Sequence, residues 1–330
     1  MPRSRFRLVA LTGIVVAGLA GCRSSTGDDA RSVGPDGSVD VVATTTVLGD
    51  IAREVGGDAV SVKQLLRANS DPHDYEPRPH DVVAVAKAPV VLASGDGLDG
   101  WIDGVVDDSG SDPTVVDVAA SLPVQRHDEG DGHDRAEDGH DRGGTDPHWW
   151  HDPTNVEAAT ALVRDALTRA NPAGRAAYAR NAAAYVAKLR ALDAGIGRCL
   201  ASVPASQRKL VTDHDALGYF ADRYGIELVG AVIPSLTTQA QPSAGDVADL
   251  AAIIRREGVR AVFPESGSNS KLPSALADET GVSAEYQLYG DTLGPEDSDA
   301  ATYIGMEAHN AEAIMRGFTD GARGCPLPGL

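Results

Sequence analysis

The chain has 330 residues, with 48 acidic side chains against 29 lysines and arginines and a formal charge of −19. Such acidity excludes nucleic acid and a polybasic membrane contact as partners, and it suits the gathering of cations. The length beyond residue 40 and a hydrophobic content of 42% allow two domains, each with its own core.

Arg3, Arg5 and Arg7 precede an apolar run over residues 8–20, which ends in Leu19-Ala20-Gly21-Cys22. A basic start before a short apolar stretch is an export signal, and the run is too short to span a bilayer. Leu-Ala-Gly-Cys looks like a bacterial lipobox, in which Cys22 is lipidated and becomes the mature N-terminus. These features predict a signal over 1–21 and an extracytoplasmic body anchored to the membrane through Cys22. Residues 22–38, rich in Ser, Gly and Asp, read as a flexible tether.

From residue 39 strands and helices alternate. Strand patterns cover 39–46, 60–66, 88–93 and 114–118, and helical spacing covers 48–55, 79–87 and 98–106. Such alternation implies crossover connections and a mainly parallel sheet. Residues 122–145 break the pattern: His127, His133 and His140 lie among seven acids and several glycines, with nothing to build a core. The tract reads as a disordered loop, either merely solvated or, the favoured reading, an auxiliary collector that binds metal weakly and exchanges it quickly. Order resumes at Asp146, and Thr154 or Asn155 caps a helix to about residue 170.

Asn171-Pro172 then supplies a cap and first-turn proline for a long Ala-rich helix to about residue 200, although Gly195 and Gly197 weaken its last turns. That helix would be on the order of 40 Å long. Beyond it, strands are expected at 209–212, 226–232, 259–263 and 282–288, and helices near 214–224, 243–257, 269–280 and 299–317. The predicted fold is α/β, two lobes, each a mainly parallel four-stranded sheet with helices. An N-terminal lobe (39–170) and a C-terminal lobe (204–330) are joined by one rigid spine helix (171–203). Besides Cys22 the cysteines are Cys199 and Cys325. In an oxidising compartment these two predict a disulfide that staples the tail to the end of the long helix.

The histidines suggest one metal site assembled by the fold. His73 follows a strand of the first lobe in Asp71-Pro72-His73, His148 precedes a helix in Asp146-Pro147-His148, and His214 ends the first strand of the second lobe. Ligands of open α/β sheets bind at the carboxyl ends of strands, so all three can face one cleft. Asp291, just past the final strand, supplies a fourth group at the same edge. Three imidazoles and a carboxylate make a near-tetrahedral site with bonds of about 2.0–2.2 Å, and imidazole is suited to zinc.

Four motifs now resemble one family, the zinc- and manganese-binding solute-binding proteins of bacterial ABC importers. They are Asp71-Pro72-His73 with Glu76-Pro77, Asp146-Pro147-His148 with Trp150 and Asp152-Pro153, His214-Asp215-Ala216 with Gly218-Tyr219-Phe220, and Asp291-Thr292-Leu293-Gly294. The resemblance runs from about residue 40 to residue 320. It implies ligands at His73, His148, His214 and Asp291, two lobes bridged by a long helix, and capture without catalysis. Its zinc members present histidine at the third position and its manganese members glutamate, so His214 implies transported Zn2+; a manganese-binding member is the alternative. The implied partner is the ABC permease of the same importer, served by a monomer, with a loading metallochaperone as a further partner. Two features depart from the family: His151 stands at an apolar position and reads as a residue behind the ligands or at the surface, and Pro264-Glu265-Ser266 replaces a Glu-Pro order. The rival class is a secreted zinc hydrolase, which needs an open coordination position and a general base.

Overall fold

A computed structural model describes, besides Met1, residues 37–122 and 145–327. The export signal with Cys22, most of the tether, and the insertion bearing His127, His133 and His140 lie outside the described residues. The described residues from 37 onward belong to one compact unit.

The first sheet is wholly parallel, with order β2-β1-β3-β4: β1 is Val39–Ala43, β2 Val60–Gln64, β3 Val90–Ala93 and β4 Thr114–Asp117. Alternation along the strands sorts the side chains. Val39, Val41, Ala43, Val90 and Leu92 face the main core, while Val42, Val91 and Ala93 face a smaller cluster on the other side. That outer cluster is closed by Val85 of α2 (Pro79–Val85) and by Ile102 and Val105 of α3 (Ile102–Ser109). The inner face is covered by α1 (Thr46–Gly56), which is capped by the Thr45 side chain, and by α4 (Pro153–Ala170). The cap of α4 is Asp152, whose carboxylate accepts from the amide of Thr154. The cap expected at Thr154 or Asn155 therefore falls slightly earlier, because Asp followed by Pro153 at the first helical position satisfies both preferences at once.

The long helix α5 spans Arg175–Leu200, 26 residues, after a 3-10 turn at Pro172–Gly174. Asn171 makes no side-chain cap bond there, so the first turn tightens instead of starting on a capped α-helix. Tyr178, Ala182, Tyr185, Leu189, Leu192, Ile196 and Leu200 form its buried stripe. The helix runs unbroken through Gly195 and Gly197. A Cβ on Gly195 would lie 2.8 Å from the Leu327 side chain, so the missing side chain makes room for the C-terminal tail. The Cys199–Cys325 disulfide ties that tail to the last turn of α5.

The second sheet pairs β5 (Lys209–His214) with β6 (Glu227–Ile233) in parallel. The strands expected at 259–263 and 282–288 join it only through single parallel bridges, Thr212 to Phe263, Ala261 to Ser283 and Glu265 to Leu288. Pro264 has no amide hydrogen to offer a ladder, and regular pairing stops beside it. A short helix α6 (Gly218–Tyr224) follows β5, while α7 (Ala244–Glu257) and α8 (Lys271–Thr280) cover the outer face through Leu250, Ile254 and Leu276. The last helix, α9 (Tyr303–Phe318), returns to the centre and packs on α5 and α1. One core consequently runs through both lobes, from Val41 and Ile51 through Tyr185 and Leu189 to Phe220, Phe263 and Ile314.

Candidate metal centre

The four expected side chains are delivered by short turns and a strand end. His73 sits in a single 3-10 turn, Pro72–Asp74, whose preceding residue Asp71 accepts the His73 amide at 2.8 Å. His148 is held by the same Asp-Pro-His turn, in which Asp146 Oδ1 accepts the His148 amide at 2.9 Å and also lies 2.7 Å from ring Nδ1. His214 is the last residue of β5, and its Nδ1 lies 2.6 Å from Glu265 Oε1. Asp291 follows Gly290, whose carbonyl accepts hydrogen bonds from Trp150 Nε1 and His151 Nε2, both at 2.9 Å.

The four converge, and one ligand atom from each lies within 4.8 Å of all the others. His148 Nε2 is 3.4 Å from His73 Nε2 and 3.3 Å from Asp291 Oδ1. His214 Nε2 is 3.5 Å from Asp291 Oδ1, and His73 Nε2 is 3.6 Å from Asp291 Oδ2. A tetrahedral ion with bonds of about 2.0–2.1 Å separates its ligand atoms by about 3.3–3.4 Å, so these edges have the size such an ion needs. His214 Nε2 and Asp291 Oδ1 are buried and neither makes a hydrogen bond. Buried polar atoms are rarely left so, and two of them aimed at one point fit a cation between them.

The charges behind the cluster are arranged to match. Burial disfavours charge on His148, but its hydrogen bond to Asp146 and the nearby Asp291 carboxylate outweigh burial and raise its pKa to about 9. Burial acts likewise on His214, where the carboxylates of Glu265 and Asp291 prevail and hold it well above the usual histidine range. At His73 burial outweighs the pull of the Asp291 carboxylate 3.6 Å from Nε2 and lowers the ring to about 4. Asp291 is buried as well, yet the charge on His214 and the closeness of His148 hold it well below the usual carboxylate range. Glu265 is raised by burial, against the pull of His214. Asp146 and Glu265 thus fix Nδ1 of their histidines and leave Nε2 facing the centre, the arrangement in which a carboxylate orients a metal-binding imidazole.

The other described histidines and the two tryptophans beside His148 lie around or away from the cluster. His151 is wholly buried but outside the cluster, with Nδ1 2.8 Å from Glu307 Oε1 and Nε2 on Gly290 O. Trp149 donates to Ser94, and the Trp150 ring meets His148 edge-on with centroids 5.4 Å apart. His80 lies beside Asp81, and His309 beside Asp299 and the Gln287 carbonyl. Four residues went unmarked in the sequence: Asp146 and Glu265 as orienting carboxylates, and Thr238 and Gln239 across the cleft. Thr238 donates to Asp71 Oδ2 at 2.5 Å and Gln239 Nε2 to the His73 carbonyl at 2.6 Å. Asp146 could have been found from its place two residues before His148, where an Asx turn reaches the amide. Glu265 stands 51 residues from His214 and carries no local signal.

Residues 41–317 match the family described as ZnuA, zinc-uptake complex component A, periplasmic. The iron-binding protein YfeA of Yersinia pestis is 31% identical over 278 residues, covering 84% of this chain and 86% of its own. The manganese-binding lipoprotein MntA of Halalkalibacterium halodurans is 29% identical over 312 residues, covering 94% of this chain and 97% of its own. Among solved structures, the periplasmic zinc-binding protein TroA of Treponema pallidum superposes with a TM-score of 0.76 at 29% identity, over 86% of this chain and 99% of that one. The α/β fold with mainly parallel strands in two lobes is the fold of TroA. The metals named for these relatives differ, while the kind of protein does not. The chain belongs to the ZnuA family, and is accordingly a metal-binding component of an ABC metal importer and not an enzyme.

Proposed function

We propose that the chain is the zinc-capture component of its importer, with His73, His148, His214 and Asp291 as the four ligands of one transported Zn2+. The observation that carries this is the convergence of three imidazoles and one carboxylate, with ligand atoms within 4.8 Å of one another and each imidazole Nε2 3.3–3.6 Å from an Asp291 oxygen. Four protein ligands close the site, which suits holding an ion over activating a water. Imidazole-rich sites favour zinc, and manganese prefers carboxylate and water oxygen. The manganese reading is supported by the 29% identity to a manganese-binding lipoprotein, and the test includes it.

In this proposal residues 1–21 serve as an export signal and Cys22 as the lipid anchor of an extracytoplasmic body, a reading that the lipoprotein name of the manganese-binding relative supports. Among the described residues no helix is long and apolar enough to cross a membrane. His127, His133 and His140 are proposed as an auxiliary collector that binds zinc weakly and exchanges it quickly.

Competition titration with a chromophoric chelator tests the proposal on the lipid-free body, residues 40–330. One tight zinc site is expected, lost in His214→Ala, weakened in Asp291→Ala, and poorly displaced by manganese. Zinc affinity indifferent to His214, or manganese bound more tightly than zinc, would overturn the zinc assignment.

A further inference from the structure

Among the described residues three buried imidazoles hold a carboxylate against Nδ1. Two of them, Asp146–His148 and Glu265–His214, aim Nε2 at the cluster. The third, Glu307–His151, is just as buried, and it aims Nε2 at a backbone carbonyl, that of Gly290. Burying a histidine and a glutamate together is costly unless both are bonded, so this pair calls for an explanation that packing does not supply.

Gly290 immediately precedes Asp291, and its carbonyl belongs to the peptide unit that starts Asp291. That oxygen accepts from His151 Nε2 and Trp150 Nε1, each at 2.9 Å, so both of its acceptor directions are taken. One residue earlier, the amide of Tyr289 donates to Asn310 Oδ1 and its carbonyl accepts from Asn310 Nδ2, both at 2.9 Å. Glu307 and Asn310 lie one turn apart on α9 and are wholly buried. On the other side, a Cβ at residue 290 would lie 2.8 Å from Glu265 Oε2, so the backbone runs directly against the carboxylate that orients His214. The segment that presents Asp291 is therefore pinned from α9, from residues 150–151 and from Glu265.

We infer that His151, oriented by Glu307, is a positioning residue for Asp291: it fixes the peptide unit before the carboxylate so that the carboxylate reaches all three imidazoles at once. A carbonyl oxygen only accepts, so Nε2 must carry a hydrogen. Glu307 on Nδ1 keeps it there, whether the pair is imidazolium with carboxylate or neutral imidazole with carboxylic acid. This inference rests on the reading of Asp291 as a ligand. Residues that orient ligands are typically worth about 10–100-fold in metal affinity.

The test is a double-mutant cycle on zinc affinity, read by competition with a chelator. His151→Met removes the donor at similar volume, and is measured alone and in the Asp291→Ala background. About a tenfold weakening is expected alone, and almost none where Asp291 is already gone, because the effect passes through that carboxylate. His151→Gln, which keeps an N–H donor, is expected to recover most of the affinity. Should His151→Met fail to fold because Glu307 is left unpaired, His151→Met with Glu307→Leu removes both partners and takes its place in the cycle. Unchanged affinity in the donor-less variant, an equal loss in both backgrounds, or no recovery with glutamine would each overturn the inference. Weak zinc binding by the unaltered protein would instead overturn the function proposed above, so the two failures are distinguishable.

Discussion

Asp71 and Asp146 both accept the amide hydrogen of the histidine two residues on, yet only Asp146 also holds that histidine's ring. The same three-residue word therefore yields two different imidazoles. His148, backed by Asp146, is raised to about 9, and His214, backed by Glu265, is also raised, whereas His73 is lowered to about 4. These shifts favour a proton on the cluster-facing nitrogens of His148 and His214 and disfavour one on His73. An incoming cation must displace those two protons, so binding strengthens as pH rises toward the raised pKa values. Titration calorimetry at pH 7 in buffers of different ionisation enthalpy should find about two protons released per zinc. Release of none would contradict the assignment of His148 and His214. The four residues of the cluster were legible in the sequence because each lies in a short turn or at a strand end with a recognisable local pattern. Glu265 and Glu307 were not, because their partners are 51 and 156 positions away and only the fold brings them together.

At the scale of elements, the segment between β6 and α7 reaches across the cleft to the turn that carries His73. Thr238 holds Asp71 and Gln239 holds the His73 carbonyl, and both contacts are exposed. The side chains of His73 and Asp291 are the more exposed of the four, 7% and 9% against 0% and 1% for His148 and His214, and this contact covers the cluster on the His73 side. Gln239→Ala should speed zinc dissociation about three- to tenfold, the kinetic equivalent of one net hydrogen bond, as followed by stopped-flow chelator exchange. A dissociation rate equal to that of the unaltered protein would show that the contact plays no part in retention. The alternation of strands and helices could be read in advance because periods of two and 3.6 differ visibly. The weakening of the second sheet after β5 could not be read that way. The apolar runs at 259–263 and 282–288 have strand periodicity, and the interruption comes from Pro264 and from chain paths set by tertiary contacts. Helix α5 likewise survives Gly195 because the disulfide-bound tail fills the space that the glycine leaves.

For the whole molecule, the continuous core is the governing feature. Residues of α5 and α9 pack against both lobes, and the cluster that contains Ile51 also contains Phe220 and Ile314. Opening a wide hinge would tear that core, at about 25 cal/mol for each Å² of apolar surface exposed. Capture and release are therefore expected to proceed through loops at the cleft and a slight tilt of the lobes. Small-angle scattering with and without zinc should give radii of gyration that agree to within a few per cent, and a larger contraction would point to a hinge. The centre itself is tested most directly by zinc X-ray absorption on the stoichiometrically loaded protein, with His148→Ala alongside. Three imidazole nitrogens and one carboxylate oxygen at about 2.0–2.2 Å are expected, with one imidazole fewer in the variant. A six-oxygen shell, or a spectrum unchanged by His148→Ala, would contradict the four-ligand centre.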